Sequence, residues 1–159
     1  LSILLISILF GMFRYIIKDD SYRFSLVKEP KQNKVYTLPD SLLSPLSISL
    51  ELAKSIFDFN DGIFIDARDE DLYFSNTIKN SINIPYFLID DQDDITINKI
   101  NELSKDDTYI IFCDGEEAGC DISTNLADIL FYEYQFTKIY IYEGGMHEWD
   151  QKGYPVNEK

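Results

Sequence analysis

A chain of 159 residues is long enough for one domain with a substantial core plus an extension, and eleven Tyr and eleven Phe against seven Gly mark it as globular, not disordered. The formal net charge of −14 is unevenly spread: residues 1–35 carry six basic and three acidic side chains, which leaves −17 on residues 36–159. A body that acidic repels nucleic acid and anionic lipid headgroups, so neither is an expected partner for it, and two cysteines are too few for a disulfide framework.

The amino end opens with LSILLISILFGMF, which has no charge, and the apolar stretch runs past Arg14 to Ile17. It is slightly shorter than the ~20 apolar residues of a full membrane span, and it starts at Leu1 without a methionine, so further residues upstream are expected. A truncated membrane anchor, a signal-peptide core and a buried helix compete as readings. Apolar side chains all round the helix speak against an ordinary core helix. The absence of a small-residue cleavage site speaks against a cleaved signal. The favoured reading is a single-pass anchor over residues 1–17. Basic residues between Arg14 and Lys34 then lean toward a cytoplasmic domain by the positive-inside rule.

Residues 18–46 mix charge with three prolines and no sustained period, and are expected to be a linker or an irregular arm. The domain proper is expected over residues 47–157. SISLELAKSIFDFN predicts a helix capped by Ser47 or Ser49, and GIFIDA (62–67) a buried strand. DEDLYFSN predicts a brief helix, SINIP a second strand ended by Pro85, IDDQDD (89–94) a solvated loop and ITINKINELS a helix. TYIIFC is the third strand, DISTNLADILFYEY a long helix, KIYIY (138–142) the fourth strand, and GMHEWDQKG a closing short helix. Strands alternating with helices and long connections mean an α/β fold around a mostly parallel sheet. Ligands in such sheets bind beyond the carboxyl ends of the strands, where Cys113 falls.

The stretch that carries chemistry is CDGEEAGC, residues 113–120, between the third strand and its helix. Loop amides and the start of a helix near Asp121 would favour a thiolate at Cys113, or a bound anion. Asp114, Glu116 and Glu117 act the other way, disfavouring the thiolate and repelling small anions. Backbone dipoles in a tight loop aim inward, whereas exposed carboxylates point outward and are screened, so the expectation is a usable nucleophile that binds small anions poorly. A buried, inert Cys113 is the bland alternative.

Three separated motifs, in order, resemble the rhodanese-like domain family: FIDARDEDLYFSNTIKNSINIP, then YIIFC with its loop and S-x-x-x-A-x-x-L helix, then YEGGMHEWDQKGYPV. Together they cover roughly residues 47–157. The resemblance implies a sulfurtransferase or sulfur carrier whose Cys113 bears sulfane sulfur as a persulfide, with Asp114, Gly115, Glu116, Glu117, Ala118 and Gly119 as the substrate-binding loop. Asp66 and Arg68 match the family's D-x-R, while Gly144, Gly145 and Trp149 match its GG followed by Trp. Two departures stand out: residues 76–81 read NTIKNS in place of the usual G-H-I-x-G-A, and the loop is long and lacks the arginine that would greet thiosulfate. The loop is similar instead to a two-cysteine subgroup with a C…C-x-x-S pattern, here Cys113, Cys120 and Ser123. In that case Cys120 is either a resolving thiol, forming a disulfide with Cys113, or a small apolar residue packing the helix start.

The acidic loop then makes sense if the donor or acceptor is a protein thiol or persulfide instead of a small dianion. A catalytically silent protein-binding module on the same fold is the alternative function. Arg68 and Ser123 are the supporting candidates, Arg68 more simply as the structural partner of Asp66 or a nearby carboxylate. His147, the single histidine, more often faces solvent than acts as a base. Trp149 reads as a core anchor, and Tyr132, Tyr134, Tyr140 and Tyr142 as packing residues. No His/Cys cluster has metal spacing and no nucleotide fingerprint is present, so neither a metal nor a cofactor is expected.

Overall fold

A computed structural model describes residues 35–115 and 121–158. The expected anchor over residues 1–17 and the first half of the expected linker lie outside these. Among the described residues no helix is long and apolar enough to cross a membrane.

The chain runs β1 (Leu46–Ile48), α1 (Leu50–Phe59), β2 (Ile63–Asp66), α2 (Glu70–Ser75), β3 (Asn76–Ile78), β4 (Ile82–Asn83), α3 (Tyr86–Asp90) and α4 (Asp94–Asn101). It continues with β5 (Tyr109–Phe112), α5 (Ile122–Asp128), β6 (Ile139–Tyr142), α6 (Gly145–Gln151) and β7 (Val156–Glu158). Five strands form one parallel sheet in the order β1-β6-β5-β2-β4, and β3 pairs antiparallel with β7 in a small second sheet. This is a single α/β fold with a mostly parallel central sheet flanked by helices, as the alternation of elements predicts.

The apolar strands IFID, YIIF and IYIY sort their side chains by the period of two. Phe64, Ile110, Phe112, Tyr140 and Tyr142 face α1 and α6, where Ala53, Ile56, Met146 and Trp149 complete one core layer. Ile65, Tyr109, Ile111, Ile139 and Ile141 face the other way, onto Ile100, Leu126, Ala127 and Leu130. Trp149 is wholly buried, packs edge-on against Phe57 and Tyr142, and donates its indole N–H to the Pro155 carbonyl at 3.0 Å. It is a core anchor, as the sequence reading expected. Tyr140 and Tyr142 are core as well, whereas Tyr132 is 62% exposed because it lies on the outer side of a π turn, Ile129–Glu133, that extends α5.

Three strands were not legible as such. Leu46–Ile48 is a strand at the sheet edge and not the end of a linker, and of the two candidate caps it is Ser49 whose hydroxyl accepts from the Leu52 amide. Residues before it also belong to the body: Tyr36, Leu38 and Leu42 pack on the core, and the Leu42 amide donates to the Thr137 carbonyl at 2.8 Å. β3 and β7 are three residues each and stabilise one another only through contacts far apart in sequence. The start of the expected acidic loop is helical, since α3 runs to Asp90 and Asp93 caps α4 through the Thr96 amide.

The aromatic core makes a prediction at high pH. Burial, and next the nearby Asp107 charge, push the Tyr109 phenol up to about 12, and burial followed by the hydrogen bond to Glu148 raises Tyr142 as well. In the unfolded chain these phenols release their protons near ~10, while the fold retains them. Their contribution to stability is therefore complete below pH ~10 and is lost as pH climbs toward ~12. Urea midpoints should hold steady up to about pH 9 and then fall, and Tyr109→Phe should shallow that fall. A Tyr109→Phe profile superimposable on the parent would refute this account.

Candidate functional site

Asp66, Phe112, Tyr142 and Ile48 stand in register at the carboxyl ends of β2, β5, β6 and β1. Cys113 follows Phe112 directly, so the central strand delivers its side chain to that end of the sheet. It is 1% exposed, and its sulfur lies 3.4 Å from the Ser123 hydroxyl on α5. Cys113 is disulfide-bonded in this structure, not a free thiol. Glu116, Glu117, Ala118, Gly119 and Cys120 lie outside the described residues, so the roles read for them from the sequence are not placed.

The loop is seated from below by α6. The Met146 amide donates to the Cys113 carbonyl at 2.7 Å, and the His147 amide donates to the Asp114 carbonyl at 3.0 Å. Two amide groups that a helix start leaves without intrahelical partners are thus satisfied by the carbonyls of the two residues that open the loop. This contact needs glycine on both sides. Gly115 has φ +121° and Gly145 φ +58°; a Cβ on Gly145 would lie 2.5 Å from the Cys113 carbonyl oxygen, and one on Gly115 would lie 2.5 Å from the Gly144 carbonyl oxygen. Gly115 and Gly145 therefore bring two stretches of backbone together where no side chain fits.

A buried ion-pair network holds the other flank. Asp66 is fully buried and Arg68 is 3% exposed. The guanidinium donates Nε–H to Asp66 Oδ1 at 2.9 Å, and one terminal nitrogen donates to Asp66 Oδ2 and to the Asn76 carbonyl, both at 2.7 Å. The other terminal nitrogen donates to Asp114 Oδ1 at 3.0 Å. Thr77 adds a hydroxyl donor to Asp66 Oδ2 at 2.8 Å, and the Asn83 amide ties the carbonyls of Asp66 and Arg68 together. Burial works against the Arg68 charge, but the hydrogen bonds and charges of Asp66, followed by Asp114, outweigh it and hold the guanidinium above its ordinary range.

The expectation that the loop carboxylates point outward fails at Asp114, which turns in because the guanidinium has a donor left over after Asp66 is satisfied. Arg68 is the structural partner of two carboxylates and presents no open fork to an anion. His147 is exposed and contributes its backbone amide, while its ring lies 2.7 Å from the Gln151 side chain. A cleft of about 460 Å³ opens beside Gly115, with Glu51, Glu143, Glu148, His147 and Gln151 among its walls. Sequence reasoning missed Thr77 and Asn83 as members of the network. Asn83 signalled only as a polar residue inside an apolar strand, a pattern that does not say what it would meet, and Thr77 gave no signal because β3 was not legible. Among the described residues no group of His, Cys, Asp and Glu side chains is placed to hold a metal ion.

Comparison with known proteins gives consistent results. The rhodanese-like domain family matches residues 49–152. A protein of Buchnera aphidicola subsp. Baizongia pistaciae, described only as uncharacterized, is 31% identical over 122 residues, which is 76% of this chain and 78% of that protein. The crystal structure of the BH2092 protein from Bacillus halodurans superposes with a TM-score of 0.58 at 22% identity, over 71% of this chain and 77% of that one. The solution structure of the polysulfide-sulfur transferase homodimer from Wolinella succinogenes does so with a TM-score of 0.52 at 23% identity, over 72% and 80%. At these identities the two structural likenesses carry the fold.

Proposed function

Because the chain belongs to the rhodanese-like domain family, we propose that it is a sulfurtransferase or sulfur carrier working through a persulfide on Cys113. The observation that supports this most is the seating of Cys113 at the end of the central strand, its carbonyl held by α6 and its sulfur beside Ser123. A buried structural cysteine would not need a double-glycine contact built beneath the loop it opens.

In the reduced protein the Cys113 thiolate attacks the outer sulfur of a donor R–S–S⁻. The donor S–S bond breaks, R–S⁻ leaves with the bonding pair, and Cys113 holds a persulfide. An acceptor thiolate then attacks the terminal sulfur and releases the Cys113 thiolate. Ser123 is assigned to donating a hydrogen bond to that thiolate, which stabilises it as nucleophile and as leaving group. Where no acceptor arrives, attack of Cys120 on the inner sulfur expels hydrosulfide and leaves a Cys113–Cys120 disulfide, which a thiol reductant with two electrons reopens. The disulfide-bonded state of Cys113 supports that resting form. The acidic loop favours a protein thiol or persulfide as donor or acceptor. The apolar run at residues 1–17 supports attachment of the domain to a membrane.

Mass spectrometry tests the reading directly. The reduced chain, incubated with thiosulfate, inorganic polysulfide or a persulfidated protein, should gain one sulfur on the peptide that contains Cys113, and Cys113→Ser should gain none there. If no donor loads the parent protein, the fold serves here as a binding module and the sulfurtransferase reading is wrong.

A further inference from the structure

Arg68 is the one buried cation among the described residues, and it stands one residue from the proposed nucleophile through its contact with Asp114. Its charge is spoken for. Asp66 takes two of its nitrogens, the Asn76 carbonyl shares one of these, and Asp114 takes the third nitrogen from the loop side. One guanidinium against two carboxylates leaves the cluster with a net charge of −1 beside Cys113. Without Asp114 the same cluster would be neutral, and one terminal nitrogen would face the loop with its hydrogens available.

We propose that Asp114 is a specificity determinant that closes off the outer edge of the Arg68 guanidinium, so that the Cys113 site discriminates against small anionic sulfur donors. The inference rests on the persulfide reading of Cys113 and names the donor class that this site rejects. Asp114 is 43% exposed by its side chain while Arg68 is 3% exposed, so the carboxylate acts as a partly solvated cover over a buried cation. A cover of that kind adds one negative charge at the loop without rearranging the core: Asp66, itself held by the Thr77 hydroxyl, and the Asn76 carbonyl hold Arg68 in place when Asp114 is replaced.

The test compares the parent chain with Asp114→Asn and Asp114→Glu, all reduced, reading sulfur gain at Cys113 from thiosulfate and alkylation of Cys113 by iodoacetamide. Thiosulfate is a dianion and iodoacetamide is neutral, so the pair separates donor repulsion from activation of the thiol. Asp114→Asn should accelerate transfer from thiosulfate by about tenfold at low ionic strength, with the gain shrinking as salt rises. Its alkylation rate should change by less than about threefold, since the charge lost is partly screened. Asp114→Glu, which retains the charge, should stay near the parent. Equal acceleration with both reagents, or none with thiosulfate, overturns the inference. If a protein persulfide still loads Cys113 in that case, the persulfide reading survives while the role of Asp114 falls; failure of every donor with every variant overturns both.

Discussion

Gly145→Ala is expected to cost at least ~3 kcal/mol of stability and to abolish sulfur loading at Cys113 in whatever fraction remains folded. Two effects add. At φ +58° an L side chain loses roughly 1 kcal/mol or more relative to glycine, wherever the residue sits. At this position the new methyl would also lie within 2.6 Å of the Cys113 carbonyl oxygen, the Gly115 nitrogen and the Asp114 carbonyl carbon, all of them backbone atoms with no rotamer to adopt. Either α6 backs away, breaking its hydrogen bonds to the Cys113 and Asp114 carbonyls, or the loop lifts and carries Cys113 with it. Gly153 provides the control. It has φ +64°, but no atom lies within 4 Å of where a methyl would sit, so Gly153→Ala should show the backbone penalty alone, roughly 1 kcal/mol, with sulfur loading unchanged. Urea denaturation of the three proteins, with mass spectrometry of the Cys113 peptide, decides the matter. Equal losses in the two variants would mean that backbone strain, not the close approach under the loop, accounts for the effect.

The residues at this contact also show how far the sequence could be read. Buried strands such as YIIF and IYIY carry their own evidence, because a run of β-branched and aromatic residues between turns has few other uses. The placement of Cys113 at a strand end followed from the same run. What lies between elements was not legible. Nothing in EGGMHEW says that Gly145 will admit the backbone of residues some thirty positions earlier in the chain. The inward turn of Asp114 was hidden for a similar reason. Counting loop carboxylates treats them as a solvated set, whereas Arg68, forty-six positions away, selects one of them by having one donor to spare. Strands β3 and β7 were missed because three residues have no period of their own, and each exists by pairing with the other across most of the domain. The chemistry of the site was local, while its positioning was long-range.

Arg68→Ala should be the most destabilising single change on the flank of the site, at about 3–5 kcal/mol. The reasoning concerns what is left behind. Asp66 is fully buried and accepts from the Arg68 side chain, the Arg68 amide at 3.0 Å and the Thr77 hydroxyl. With the guanidinium gone, the carboxylate retains only the last two donors and loses the charge that offsets its own desolvation. The Asn76 carbonyl at the start of β3 loses its donor as well, so the small sheet should loosen together with the loop. Arg68→Lys should rescue little, because a single ammonium on a flexible stem cannot reach both Asp66 oxygens, the Asn76 carbonyl and Asp114 at once. Asp66→Asn combined with Arg68→Met should cost less than the two single changes added together, since breaking a buried pair leaves an uncompensated charge and removing it whole does not. Urea midpoints for the parent, the two single variants and the double variant form a double-mutant cycle whose coupling should come to ~2 kcal/mol or more. A loss under ~1 kcal/mol in Arg68→Ala would show that water or a rearranged side chain replaces the guanidinium, and that the buried pair is not what holds the Asp114 side of the loop.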